Sequence, residues 1–269
     1  MSYLFWQARQ RKVALLAEGI STHYFKRGPI NPLIIAQDEA ITYTFGRYQD
    51  CFDGLLQHKA GRFHIFINLD RLSSPDHPRA RFTFGHELAH YFIDEHRETL
   101  KQGLTPCHSS FSRLMAKNPV EKEADYFSSC LLMPSANFRN RCLRRPLWPT
   151  LFEELSDHFQ VSLSAAIFRY YALNLFPMAL IYCRDGLVEW SMATDDFRFR
   201  ALPLKKSPIP TSSTAGEYFY EDKEYDSVEI VYPDDWFHDQ RMNTTQPLYE
   251  KCYYLPGNSV LSVIWVKER

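Results

Sequence analysis

At 269 residues the chain has room for one large domain or two to three small ones. Its 31 Lys and Arg nearly cancel its 32 Asp and Glu, which argues against a protein built to coat nucleic acid or an anionic membrane. No apolar run approaches bilayer length, and the first residues place their short apolar patch before the basic ones, the reverse of a secretory signal. The six scattered cysteines read as reduced thiols of a cytoplasmic protein and not as a disulfide framework.

In chain order, the first element reads as a helix over 8–18, with Gly19 just past its end. A short second helix starts at Asn31-Pro32, because proline suits a first helical turn. Residues 41–45, 53–59 and 63–69 read as strands, the last because Phe63, Ile65, Ile67 and Leu69 alternate with His64, Phe66 and Asn68, with Lys59-Ala60-Gly61 as a hairpin turn. From Asp76 the period becomes helical: Phe82, His86, Ala89, His90 and Ile93 share one face. Residues 97–117 lack a clear period. A helix follows over 119–132, stopped by Pro134, and then three short helices over 135–174. After Pro177 the chain is β-rich, with strands at 178–184, 187–190, 227–232, 248–254 and 260–266 and a long loop at 201–216. The predicted organisation is α+β: a domain at 1–134, a helical segment at 135–175 and a β-rich domain at 176–269.

The chemistry lies between residues 79 and 134. His86-Glu87-Leu88-Ala89-His90 is an H-E-x-x-H motif. On a helix its two imidazoles stack one turn apart and can reach one metal ion, while Glu87 sits where it can take a proton from a water. A catalytic zinc needs a third protein ligand. Glu121 fits, with Asp125 one turn on to accept a hydrogen bond from the far nitrogen of a ligand histidine. Glu123 is the rival ligand, but it points elsewhere on the same helix.

The run Arg79-x-Arg-Phe-Thr-Phe-Gly-His-Glu-Leu-Ala-His90, followed by Glu121-x-Glu-Ala-Asp-x-Phe127 and Leu131-Leu-Met-Pro134, resembles the ImmA/IrrE family of zinc metallopeptidases (the DUF955 domain). The resemblance takes in the strand Ile65-Phe66-Ile67-Asn68 and covers about residues 30–175. It implies a zincin-like domain, a gluzincin-type Zn2+ site with His86, His90 and Glu121 as ligands, and Glu87 as catalytic base. It further implies an intracellular endopeptidase that cuts an XRE-type helix-turn-helix repressor, often the product of a neighbouring gene. Some members add a helix-turn-helix-like segment and a GAF-like C-terminal domain.

The donor that would stabilise the oxyanion is not named by the sequence; Tyr91, His96, His108 and Tyr126 are the candidates. Strand 65–68 could offer an edge to an extended substrate. Residues 151–170 have helix-turn-helix-like spacing, and the second helix would present Ser162, Ser164 and Arg169, a poor set for reading bases. Direct DNA binding is expected to be weak or absent, although Arg139, Arg141, Arg144 and Arg145 form a basic cluster. The acids at 217–239 read as a solvated loop. The alternative to a peptidase is a DNA-binding or sensor protein that retains the zinc site without using it for hydrolysis.

Overall fold

The computed structural model describes residues 3–24, 28–72, 74–103, 107–110, 118–237 and 246–267, with the side chains of 3–6 and 107–110 left out of account. The chain is α+β and divides into two compact units, residues 1–145 with 151–169, and residues 146–150 with 170–269.

The first unit opens with α1 (Tyr3–Tyr24) and α2 (Pro32–Asp38). Helix α1 is longer than the predicted 8–18. Gly19 lies inside it, at an exposed position, where glycine costs about 1 kcal/mol against alanine. Packing of α1 along its buried stripe, Val13, Ala17 and Ser21, outweighs that cost. Helix α2 is capped as its sequence suggests: the Asn31 side chain accepts from the Leu33 N–H at 3.0 Å and Pro32 opens the helix.

Strands β1 (Thr42–Gly46), β2 (Gly54–Lys59) and β3 (Arg62–Asn68) come next. The β2–β3 hairpin turns at Ala60 and Gly61, both with positive φ (51° and 76°), the demand of a tight two-residue turn. After α3 (Leu69–Leu72) come α4 (Pro78–Phe92) and α5 (Asp94–Lys101), then β4 (Cys107–Ser110). The region without a clear period thus holds the end of one helix and a strand. The sheet order is β1-β3-β2-β4, with β1 parallel to β3 and the other pairs antiparallel. Strand β3 is therefore interior. The expectation that 65–68 offers an edge is wrong, because β1 and β2 already take both of its sides; among the described residues the edges are β1 and β4.

Asn68 ends β3 and is fully buried. Its side-chain amide donates to the Gln49 and Phe52 carbonyls (2.6 and 2.8 Å) and its oxygen accepts from the Tyr48 and Asp70 N–H groups. Asp53, also fully buried, pairs with Arg71 and, at 3.0 Å, with Arg79. These bonds fix the loop that leads into β2.

Helix α6 (Pro119–Leu132) packs against α4 and α1. The close approach to α4 occurs at Gly85, where a Cβ would come within 2.6 Å of the Ser128 hydroxyl, itself donating to the Phe82 carbonyl at 2.8 Å. Helices α7 (Ser135–Cys142), α8 (Pro149–Phe159) and α9 (Leu163–Ala172) supply the three expected short helices.

The second unit is built on strands β5 (Met178–Arg184), β6 (Leu187–Ala193), β7 (Glu229–Val231), β8 (Leu248–Leu255) and β9 (Ser259–Val266), with α10 (Thr214–Glu221) and α11 (Pro233–Trp236). All five strands pair antiparallel in the order β6-β5-β9-β8-β7. The predicted loop at 201–216 and the acid-rich stretch both give up residues to α10, whose N-cap Ser213 accepts from the Gly216 N–H at 3.0 Å. One face buries Ile181, Val188, Phe197, Phe199, Trp236 and Ile264.

Candidate metal centre

His77 caps α4 and Pro78 occupies its first turn, so the helix is set well before the motif begins. Residues 83–90 are all buried, an enclosure that a solvated pair of histidines would not have. His86 and His90 stack one turn apart, their Nε2 atoms 3.1 Å from each other. From α6, Glu121 brings its carboxylate to 3.1 Å from His86 Nε2 and 3.7 Å from His90 Nε2. One nitrogen from each histidine and one Glu121 oxygen thus lie within 4.8 Å of one another.

The far nitrogens are also engaged. His86 Nδ1 lies 2.8 Å from Asp125 Oδ1, the distance of a hydrogen bond donated by the ring. Burial works to lower the His86 pKa, but the bonds to Asp125 and Glu121 outweigh it and push it up to about 10. His90 Nδ1 lies 3.2 Å from His96 Nδ1, on α5. His96 Nε2 lies 3.3 Å from Glu123, and Glu123 accepts from Arg9 at 2.7 Å. Glu123, the rival ligand, is thus turned away from the cluster toward His96 and Arg9, because it sits two residues round the helix from Glu121.

Glu87 is fully buried beside the cluster. Strand β2 meets it at Gly54, where a Cβ would come within 2.6 Å of Glu87 Oε1 and 2.5 Å of Thr83 Cγ2. A side chain there would force Thr83 or Glu87 to move.

None of the described candidates for an oxyanion donor joins the cluster. His96 stands behind His90. The Tyr91 hydroxyl donates to Glu39 at 3.0 Å, and burial first, then that bond, raises its pKa. The Tyr126 phenol is shifted by burial and by Cys130 on its own helix, up to about 12. The His108 side chain lies outside the described residues.

Arg169 is not available to a DNA groove. Its side chain is 1% exposed, donating to the Met133 carbonyl at 2.9 Å and to Glu18 at 2.9 Å. Glu18 in turn accepts from the Ser135 N–H and hydroxyl, so it also caps α7. Ser162 bonds the Ala165 N–H at 3.2 Å, acting as the cap of α9. Arg145 pairs with Glu154 at 2.8 Å, while Arg139, Arg141 and Arg144 are exposed.

Residues 54–171 match the model of the Peptidase_M78 family, described as the IrrE N-terminal-like domain. That segment is similar to the IrrE N-terminal-like domain of the ImmA/IrrE family. The match runs from β2 into α9, so this IrrE-like domain contains His86, Glu87, His90, Glu121 and Asp125, and leaves out α1 with Arg9 and Glu18. Among solved structures, a Mycobacterium tuberculosis transcriptional regulator is similar over 97% of this chain and 79% of its own, with a TM-score of 0.59 at 12% identity. At that identity the likeness is one of fold. No curated protein matches the chain significantly. Among the described residues, no helix is long and apolar enough to cross a membrane.

Proposed function

We propose that the chain is a zinc-dependent endopeptidase of the ImmA/IrrE type, acting in the cytoplasm on an XRE-type helix-turn-helix repressor and so relieving repression. The observation that carries the reading is the convergence of His86, His90 and Glu121. Ligand atoms about 2 Å from a tetrahedral zinc stand roughly 3.3 Å apart. The two Nε2 atoms are 3.1 Å apart and Glu121 Oε2 lies 3.1 Å from that of His86, which fits that requirement, while the other Glu121 oxygen lies 3.7 Å from His90 Nε2; two imidazoles with one carboxylate are a donor set suited to zinc. The zincin-like description of the first unit rests on the same constellation.

A bound zinc would polarise the scissile carbonyl and acidify the attacking water. Glu87 takes the water's proton on its carboxylate and delivers it to the leaving amine. Its burial keeps bulk water from that carboxylate. Strand β4 pairs with β2 alone among the described residues, and its Ser110 lies opposite Gly54, the residue against Glu87. An extended substrate segment adding to the free side of β4 would run past the site, held by main-chain hydrogen bonds. The five-stranded C-terminal sheet is the part we assign to sensing, as in the GAF-like domains of the family. The DNA-binding alternative is weakened by the burial of Arg169.

The test uses the purified chain with a co-expressed helix-turn-helix repressor. Glu87→Gln should retain zinc and lose cleavage, and His90→Ala should lose zinc. Undiminished cleavage by the first variant, or equal zinc in the second, would overturn the reading.

A further inference from the structure

The two histidines of the cluster are oriented by unequal means. Behind His86 stands one acid, Asp125, on the same helix as Glu121. Behind His90 stands a longer series: His96 at 3.2 Å, Glu123 at 3.3 Å from the other side of the His96 ring, and Arg9 at 2.7 Å from Glu123. Arg9 also grips Glu95, the neighbour of His96, at 2.7 and 3.2 Å. One guanidinium from α1 therefore holds α5 and α6 on either side of His96.

The chemistry of each group sets the direction of every hydrogen. Arg9 can only donate, so Glu123 accepts from it. The Glu123 carboxylate can only accept, so the His96 Nε2 carries the hydrogen. A neutral His96 then has a bare Nδ1, which accepts from the His90 Nδ1. That leaves the lone pair of His90 on Nε2, the atom aimed at His86 and Glu121. We propose that His96, Glu123 and Arg9 are positioning residues that fix the tautomer and rotation of His90, making the N-terminal helix a working part of the metal centre. The proposal rests on the reading of that cluster as a metal centre. It extends the centre beyond the matched segment 54–171, since Arg9 lies outside it.

The arrangement is more than a packing contact between helices. His96 is 4% exposed and Arg9 has a side chain 17% exposed, so both ring nitrogens of His96 and the guanidinium that closes the series are largely withdrawn from water. Inside such an environment a misdirected donor is not corrected by solvent.

The experiment measures zinc affinity by competition with a chromophoric chelator and records the visible spectrum of the cobalt-substituted protein. His96→Phe keeps a ring of similar size and removes both nitrogens. It should lower zinc affinity ten- to a hundredfold, the effect seen when the outer partner of a ligand histidine is lost, and should alter the cobalt bands. His96→Asn, whose side-chain oxygen can take the place of Nδ1, should restore most of the affinity. Arg9→Met should weaken binding less, and Arg9→Lys less again, whereas Arg11→Ala, at an exposed position of the same helix, should not change it. Thermal melts of the metal-free proteins separate loss of fold from loss of orientation. If His96→Phe fails to fold, Arg9→Met decides at the solvent end of the series. Wild-type affinity and spectrum in both variants would overturn the relay and leave the metal centre standing. Failure of the wild-type chain to bind zinc or cobalt would overturn both.

Discussion

Gly54→Ala places one methyl group between β2 and α4. The new Cβ would stand 2.5 Å from Thr83 Cγ2, 2.6 Å from Glu87 Oε1 and 3.1 Å from Glu87 Cγ. Ordinary carbon contacts lie near ~3.5–4.0 Å, so about 1 Å must be found by moving the strand or the glutamate. The strand resists, because Asn68 and Asp53 hold the loop before it. Overpacking of this kind costs roughly 1–3 kcal/mol, or about 2–10 °C in melting temperature for a unit of this size. The effect on hydrolysis should be larger than the effect on folding, since about 1 Å of displacement in a reacting group can cost ~100-fold. Zinc content should stay unchanged, because the atoms nearest the new Cβ belong to Thr83 and Glu87. Adding Thr83→Ser removes Cγ2 and should recover part of the stability without recovering the activity. Differential scanning calorimetry, metal analysis and the cleavage assay read the three quantities separately. A Gly54→Ala protein with wild-type melting and wild-type turnover would refute the claim that Glu87 is held against this strand.

Arg169→Met should destabilise the first unit by about 3 kcal/mol, the order expected when one partner of a buried ion pair is removed, and chemical denaturation would measure it. The same chain should form no sequence-specific complex with its own promoter in a gel shift at physiological salt; a specific complex that survives zinc removal would favour a DNA-binding function. Glu95 accepts from Arg9, and that bond first, with its own backbone N–H second, lowers its pKa to about 2. Its folded pKa is depressed, so its contribution is present above about pH 4.5 and is lost as the pH falls through about 2. A carbon-detected titration of the Glu95 carboxyl should show that midpoint, and Arg9→Met should return it toward the ordinary range.

The parts of this molecule legible from sequence are those with local causes. The face of α4 repeats every three to four residues, α6 ends before a proline, and the β2–β3 turn needs two left-handed residues. The pair His86 and His90 is local as well, and Glu121 with Asp125 repeats its spacing two helices later, on α6. What escaped the sequence depends on partners far along the chain. Arg9 and Glu123 are 114 positions apart, and Arg169 and Glu18 are 151 apart. An arginine written as a surface residue becomes a core residue only when the distant acid is placed beside it. A signal did exist for Arg9: it shares the four-residue step of Val13, Ala17 and Ser21, the buried stripe of its helix. Strand β4 escaped for the opposite reason. Its four residues, Cys-His-Ser-Ser, carry little strand preference, and pairing with β2 makes the strand.

Loops on protein surfaces usually accept extra or missing residues at small cost. The loop from Arg47 to Asp53 is exposed over much of its length yet lacks that freedom. Three of its backbone groups, on Tyr48, Gln49 and Phe52, are satisfied by the single amide of Asn68. Its last residue is anchored by two arginines. The β2–β3 register is held by the two-residue turn at Ala60 and Gly61, so one residue more or less here would have to be taken up within the loop, breaking this set and displacing Gly54, the first residue of β2, from Glu87. Related chains that keep a glutamate at this place should therefore hold this loop at constant length, while Gly61, at the solvent end of the hairpin, has nothing within reach of an added side chain.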